Sequence, residues 1–346
     1  MSRIRIPWDE LPRLDLETAR HAVDAVAVRT PLLPCPSLGE RLGRPVHLKL
    51  ESLQVTGSFK VRGAAARIAR LGPDERERGV VACSSGNHGR AVAHVAGRAG
   101  VPATICVPDW VDPVKREAIE AAGARIVLAG PTYDEAEETA EGLREEEGLT
   151  LVHPFDDPWV VAGQATVGLE IVADLPGVGA VVIPLSGGGL AGGIAYAVKA
   201  ARTGVAAVAV SAERARVMVE SLRAGAPVAL EETETLASAL AGGIGLENRI
   251  TFPLVRALVD AHALVGEDEI AEAMLHAHRH LGLVVEGGGA VGLAALLTGR
   301  LDDALEGLGT PEDAPVVLVI SGGNVELETL CRLAGGGPGR AAGSSG

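Results

Sequence analysis

Lys60 is the residue whose surroundings point most directly to chemistry. It ends the triplet Ser58-Phe59-Lys60, inside Lys49-Leu50-Glu51-Ser52-Leu53-Gln54-Val55-Thr56-Gly57-Ser58-Phe59-Lys60-Val61-Arg62-Gly63-Ala64. Thr56, Gly57 and Ser58 break a strand-like run and predict a capped helix opening near Phe59. A lysine at a helix start has its amine near the positive end of the dipole. That favours the neutral, nucleophilic form a Schiff base requires. Taken alone, the segment reads equally as a helix with an exposed lysine.

Three further segments carry residue types suited to anions or to a ring. Ser84-Ser85-Gly86-Asn87-His88-Gly89 follows the apolar run Val80–Cys83 and opens a helical stretch. Hydroxyls, a glycine and an amide at a strand end present donors to an anion such as a substrate carboxylate. An ordinary helix cap has the same composition. Ser186-Gly187-Gly188-Gly189-Leu190 lies between the run Ala180–Pro184 and a helix expected near Ala191. Consecutive glycines let the backbone wrap a phosphate and aim its amides at it. Gly187, Gly189 and Gly192 also fit GxGxxG, with Glu213 placed 21 residues after Gly192. That spacing keeps a nicotinamide dinucleotide as a distant alternative, since a glycine-saturated turn matches it by chance. Ser321-Gly322-Gly323-Asn324 follows Val316–Ile320. A small hydroxyl there suits a ring nitrogen, though a plain strand-to-helix turn looks the same.

These segments need strands to end beside them. Val80–Cys83, Ala103–Val107, Arg125–Leu128, Ala180–Pro184, Ala206–Ser211 and Val316–Ile320 read as strands. Helices are expected near Asn87–Ala99, Asp112–Ala122 and Thr132–Glu147, with Gly100 and Gly123 as C-terminal caps. The alternation predicts an α/β fold with two domains, each a mostly parallel sheet flanked by helices. Residues 79–157 form the expected small, mobile domain. Residues 1–78 and 158–334 form a discontinuous larger one that binds the cofactor, and 335–346 a disordered tail.

Composition removes several function classes. Of 346 residues, 47% are hydrophobic and only 2% aromatic, so Ala, Val, Leu and Ile must build the core. A net charge of −14 opposes a nucleic-acid surface. Glu135, Glu137, Glu138, Glu141, Glu145, Glu146 and Glu147 read as a solvated helix face. Cys35, Cys83, Cys106 and Cys331 lack metal or disulfide spacing and read as small buried hydrophobes in a reducing compartment. No apolar run reaches membrane-spanning length and the N-terminus has no signal core, so a cytoplasmic location is expected. His276 and His280 share a helical face without a third ligand, and no metal is expected there.

Taken together, the SFK lysine, the SSGNHG loop, the glycine loop and the SGGN turn resemble the fold type II, tryptophan synthase beta-like, pyridoxal-phosphate enzymes. Within them the chain resembles the threonine/serine dehydratases and related serine racemases. Agreement continues through His153-Pro154-Phe155-Asp156-Asp157, Ala162-Gly163-Gln164 and Val265-Gly266-Glu267-Asp268-Glu269-Ile270, covering about Thr30 to Leu333 in order. The resemblance implies pyridoxal 5'-phosphate bound as an imine on Lys60, which later moves the α-proton. Phe59 would pack beside the ring and Asn87 would bond its phenolic oxygen. Ser186, Gly187, Gly188, Gly189 and Leu190 would bind the phosphate, and Ser321 would face the pyridine nitrogen. Ser84, Ser85, Gly86, Asn87 and His88 would hold the substrate carboxylate, and Ser85 matches the opposite-face acid/base of racemases. It further implies an amino-acid substrate and a homodimer or homotetramer.

The implied reaction is β-elimination from a hydroxy amino acid of the L-threonine/L-serine type, giving a 2-oxo acid and ammonia. Several positions depart from the family pattern. Ser186 replaces the first glycine of a four-glycine loop. Ala237-Ser238-Ala239 replaces Ala-Asp-Gly, and with Gly242 to Arg249 resembles the hydroxyectoine-utilisation dehydratases. Hydroxyectoine-derived and hydroxyaspartate substrates therefore remain alternatives, as does racemisation, against which Phe155 counts because racemases more often carry Asn there. Val219 stands where the racemase cation site has an acid, so no tight metal is expected at Glu213. No C-terminal regulatory domain is expected after Leu333.

Overall fold

The computed structural model describes residues 7–335 apart from Ser85, Trp110, Asp112 and Thr203. Short runs of Val, Ile and Ala without polar alternation are buried along their whole length, as parallel strands covered on both faces must be. The strands are β1 Leu32–Pro34, β2 Val46–Leu50, β3 Val80–Cys83, β4 Ala103–Val107, β5 Arg125–Leu128, β6 Thr150–Leu151, β7 Ala180–Pro184, β8 Ala206–Ala212, β9 Ala261–Val265 and β10 Val316–Ile320. Every residue of β4, β7, β8 and β10 is buried.

The strands form two sheets among the described residues. One runs β1-β2-β10-β7-β8-β9 and the other β5-β4-β3-β6. Only β1 is antiparallel, with Leu32 opposite Lys49; Val316 of β10 lies between Val46 and Ala180. The expected α/β architecture with mostly parallel sheets is present. Five anticipated strands have the limits read from sequence, and the sixth extends one residue to Ala212. Helices Asn87–Ala99, Pro113–Ala121 and Tyr133–Glu146 fall where expected, and Gly100 and Gly123 adopt positive φ after the first two.

Helix Lys60–Ile68 packs against both helix Asn87–Ala99 and helix Pro158–Asp174. It therefore touches elements built onto each sheet. The second contact is close enough that a Cβ on Gly163 would lie 2.3 Å from the Arg62 carbonyl oxygen. A polar cluster fills this junction. Arg62 donates to Glu51 at 2.8 Å, to Glu170 at 2.6 and 3.0 Å and to Thr166 at 3.1 Å. Lys49 donates to Thr30 O at 2.7 Å and also reaches Glu170. Lys49, Glu51 and Arg62 are fully buried, so two cations meet two carboxylates and each charge has its partners.

Some expectations shift. The four cysteines are free, but Cys83 is only half-buried and Cys331 is exposed. Burial in the small sheet raises the Cys106 thiol pKa to about 11, which keeps it inert. Of the expected tail, Gly335 ends helix Leu327–Gly335, and 336–346 lie outside the described residues. Among the described residues, no helix is long and apolar enough to cross a membrane.

Candidate active site

The two sheets bring their carboxyl ends to one place, where ligands of open parallel sheets ordinarily bind. Lys60 is the first residue of helix Lys60–Ile68. Its Nζ donates to Pro154 O at 2.8 Å and lies 5.4 Å from the centre of the Phe59 ring. Burial lowers the lysine pKa to about 8, against the opposing pull of Glu286. Desolvation thus accounts for the shift that the sequence attributed to the helix end. The expected hydroxyl cap is absent: among the described residues Phe59 is an N-cap without a side-chain bond, and Ser58 Oγ is buried without a partner. The Phe59 N–H donates instead to Ser321 O at 3.1 Å, tying the lysine to the turn after β10.

The segment after β6 that supplies Pro154 is held at both ends. His153 Nδ1 accepts the N–H groups of Phe155 and Asp156 at 3.1 and 2.7 Å, so that nitrogen carries no proton. Burial lowers the His153 pKa in the same sense. Asp156 accepts the backbone N–H groups of Arg249, Ile250 and Thr251 at 2.8–2.9 Å. Asp157 caps helix Pro158–Asp174 through Trp159 and Val160.

On the small-sheet side, Gly86 donates to Ser84 Oγ at 3.2 Å and Asn87 begins its helix. Ser85 lies outside the described residues. His88 Nε2 donates to Val152 O at 2.7 Å, and burial with the nearby Lys60 charge drives its pKa to about 3. This histidine is a neutral strut. Asn87 Nδ2 donates to Glu286 Oε1 at 2.7 Å, and Asn87 Oδ1 accepts from Asn324 Nδ2 at 2.6 Å. The small-sheet loop therefore meets the large sheet through an amide pair and a carboxylate.

The glycine loop follows β7. Gly188 has φ +89° and caps helix Gly189–Ala201, which starts two residues before the expected Ala191. A Cβ on Gly187 would lie 2.3–2.6 Å from the Phe155 ring, and one on Gly188 about 3 Å from Met218, Val255 and Thr251. A Cβ would collide at Gly187 and crowd its neighbours at Gly188, so the turn needs glycine there, and it leads its backbone amides into a helix N-terminus, the arrangement that suits a phosphate. Ser186 and Leu190 flank it, and Leu190 is buried in the core.

Comparison with known proteins gives the same reading. Residues 23–322 match the pyridoxal-phosphate dependent enzyme family. The chain belongs to that family. It is 41% identical over 319 residues to the L-threonine ammonia-lyase of Thermotoga maritima, covering 92% of this chain and 77% of that protein. Among solved structures it resembles the processed threonine deaminase isoform 2 of Solanum lycopersicum, with TM-score 0.86 and 32% identity over 96% of this chain and 90% of that one. Maize serine racemase gives 0.84 and 33%, over 92% and 96%.

The residues present fit pyridoxal 5'-phosphate. A recessed lysine with a lowered pKa, an aromatic neighbour and a turn that no Cβ can enter answer its aldehyde, ring and phosphate. Membership of the pyridoxal-phosphate dependent family overturns the nicotinamide alternative. Gly192 is an interior helix residue against Leu254, and Glu213 opens a separate short helix, Glu213–Ala215. The structure brings Phe59, Lys60, Asn87, His88 and Ser321 to one region through the bonds above, and sets the glycine loop against Phe155, the residue after Pro154.

Sequence reasoning missed Glu286. Its signal was a lone carboxylate leading into Gly287–Leu297, a helix that is buried almost throughout. Ser238 and Ala239, from the segment that departs from the family, line a cavity of about 400 Å³ together with Glu286 and Asn324.

Proposed function

We propose that this pyridoxal-phosphate enzyme eliminates the β-hydroxyl of a hydroxy amino acid of the L-threonine/L-serine type, releasing a 2-oxo acid and ammonia. The observation that carries the reading is Lys60: a recessed amine with a pKa near 8, held by the Pro154 carbonyl and near the Glu286 carboxylate. The name of the Thermotoga maritima relative points to the same reaction. When bound, the cofactor supplies an aldehyde carbon that captures amines and a ring that draws electrons from the substrate α-carbon.

The chain's residues supply the rest. Lys60 Nζ holds the cofactor and, once displaced by the substrate amine, takes the proton from the α-carbon. The backbone amides of Ser186 to Leu190 bind the phosphate, and Phe59 packs beside the ring. Asn87 donates to the phenolic oxygen, and Ser321 offers a hydroxyl to the pyridine nitrogen. Being neutral, that hydroxyl does not hold the nitrogen protonated, which favours prompt loss of the β-hydroxyl. Ser84 to His88 orient the substrate carboxylate, and residues 79–157 close over it to exclude water. The hydroxyl leaves with a proton as water, and Lys60 Nζ displaces the product's nitrogen to free the enamine. The enamine tautomerises to an imine, whose hydrolysis takes up one water and gives the 2-oxo acid and ammonia.

The cytoplasm is the proposed location, supported by four free cysteines. A homodimer or homotetramer is the proposed assembly, which light scattering tests. The function is tested by assaying threonine, serine and hydroxyaspartate for equimolar 2-oxo acid and ammonia, with chiral analysis of recovered substrate. Release from threonine or serine that disappears in Lys60→Ala is expected. No ammonia from any of them would refute the reading, and recovered racemate without ammonia would move it to a racemase.

A further inference from the structure

The polarity of the amide chain beside Lys60 is fixed from one end. Asn324 Nδ2 donates to Thr56 O at 2.9 Å, and a backbone carbonyl can only accept. Asn324 therefore turns its N–H edge this way, and Asn87 must meet it with its oxygen. The NH₂ of Asn87 then points the other way, where Glu286 accepts one of its two hydrogens. A flipped Asn87 would set donor against donor at Asn324 and oxygen against carboxylate at Glu286. One amide hydrogen of Asn87 is left over.

The surroundings are built to keep Glu286 in this role. A carboxylate at the N-cap of helix Gly287–Leu297 would ordinarily bond that helix's own amides. Glu286 makes no such cap bond among the described residues and turns to Asn87 instead. Its N–H donates to Gly322 O at 3.2 Å, while its carboxylate also accepts the Asn324 backbone N–H. The turn after β10 leaves room for it: a Cβ on Gly322 would lie 2.2 Å from Glu286 Oε1.

We propose that Glu286 is a positioning residue of this enzyme, holding the Asn87 amide so that its remaining N–H meets the cofactor's phenolic oxygen while its own charge favours a protonated nitrogen at Lys60. This deepens the reading given under Proposed function and rests on it. Among the described residues, Arg90 from helix Asn87–Ala99 and Lys60 from helix Lys60–Ile68 act on Glu286, and Arg214, Glu234, Glu267, Glu326 and Arg332 line the cavity it borders. Burial outweighs Arg90 and Lys60 and lifts the carboxyl pKa to about 7, so its charge changes near neutral pH.

Two substitutions separate the acceptor from the charge. Glu286→Gln keeps an oxygen for Asn87 and removes the charge; Glu286→Leu removes both. The readouts are cofactor affinity of the cofactor-free protein and the pH at which the visible band of the lysine-bound cofactor titrates. Losing a hydrogen bond to a charged group corresponds to roughly a tenfold or greater loss of affinity. Glu286→Leu should show that loss, while Glu286→Gln should stay within about threefold of wild type by the same argument. In both, the band should titrate at lower pH by about one unit, because a nearby negative charge no longer stabilises the protonated form. Gln affinity as poor as Leu affinity, or an unshifted titration in Glu286→Gln, would overturn the proposal. Should Glu286→Leu not fold, Glu286→Gln still decides through its titration. Absence of any band in the wild type would instead refute the functional reading itself.

Discussion

At Lys60 two effects oppose each other. Burial disfavours the ammonium, the Glu286 carboxylate favours it, and burial wins, leaving a pKa of about 8. Only the neutral amine attacks an aldehyde. The rate of cofactor capture by cofactor-free protein should therefore rise tenfold per pH unit and level off near pH 8. A rate still climbing past pH 10, as for an ordinary lysine, would contradict this. The glycine loop offers a second test. Gly187→Ala drives a Cβ into the Phe155 ring and should weaken cofactor binding about tenfold or more, with partial recovery in Gly187→Ala/Phe155→Ala. An unchanged dissociation constant in Gly187→Ala would count against the loop's role. Residues of this kind were legible because short motifs announce them: Lys60, Asn87 and the glycines stand in runs whose types suit one chemistry. Glu286 was not, since its partners Asn87 and Asn324 come from distant segments and only folding brings them together.

Elements bring these residues together through a buried charge cluster. Arg62 sits two residues after Lys60, on the helix that meets both sheets' flanking helices. Arg62→Met would leave Glu51 and Glu170 facing each other with only Lys49 between Glu170 and an uncompensated charge. The expected cost is about 3–5 kcal/mol, read from the urea midpoint and slope. A loss below about 1 kcal/mol would mean the cluster relaxes freely, contrary to the full burial of Arg62. The sequence did not disclose this cluster, because Arg62 and Glu170 are 108 positions apart. Strand periodicity was easier to read. Fully buried β4, β7 and β10 were found to the residue, whereas β6 has two residues and β9 carries His262 on a partly exposed edge. The helix at Lys60 was anticipated but its cap was not: Ser58 lacks the bond a Ser would ordinarily make there, and the Ser321 carbonyl anchors Phe59 instead.

Across the whole molecule, the loop after β3 meets the turn after β10 through Asn87, Glu286 and Asn324, close to Lys60. Acid should loosen this junction. The unfolded chain takes up a proton on His88 near pH 6.5, whereas the folded chain does so only near 3. That contribution to stability is complete above pH 6.5 and fades as pH falls toward 3; buried His153 acts in the same direction. Glu286 works oppositely: with its pKa raised from 4.5 to about 7, its contribution is greatest below 4.5 and lost as pH rises through 7. Thermal melts between pH 4 and 6.5 should show a shallower acid slope in His88→Gln than in wild type; equal slopes would remove His88 from the account. The central claim concerns the bond at Lys60, and borohydride reduction followed by peptide mapping tests it most directly. Cofactor-loaded protein should carry one reduced phosphopyridoxyl group, on the peptide containing Lys60, and Lys60→Ala should carry none. A label on another lysine, or no label on loaded wild type, would contradict it.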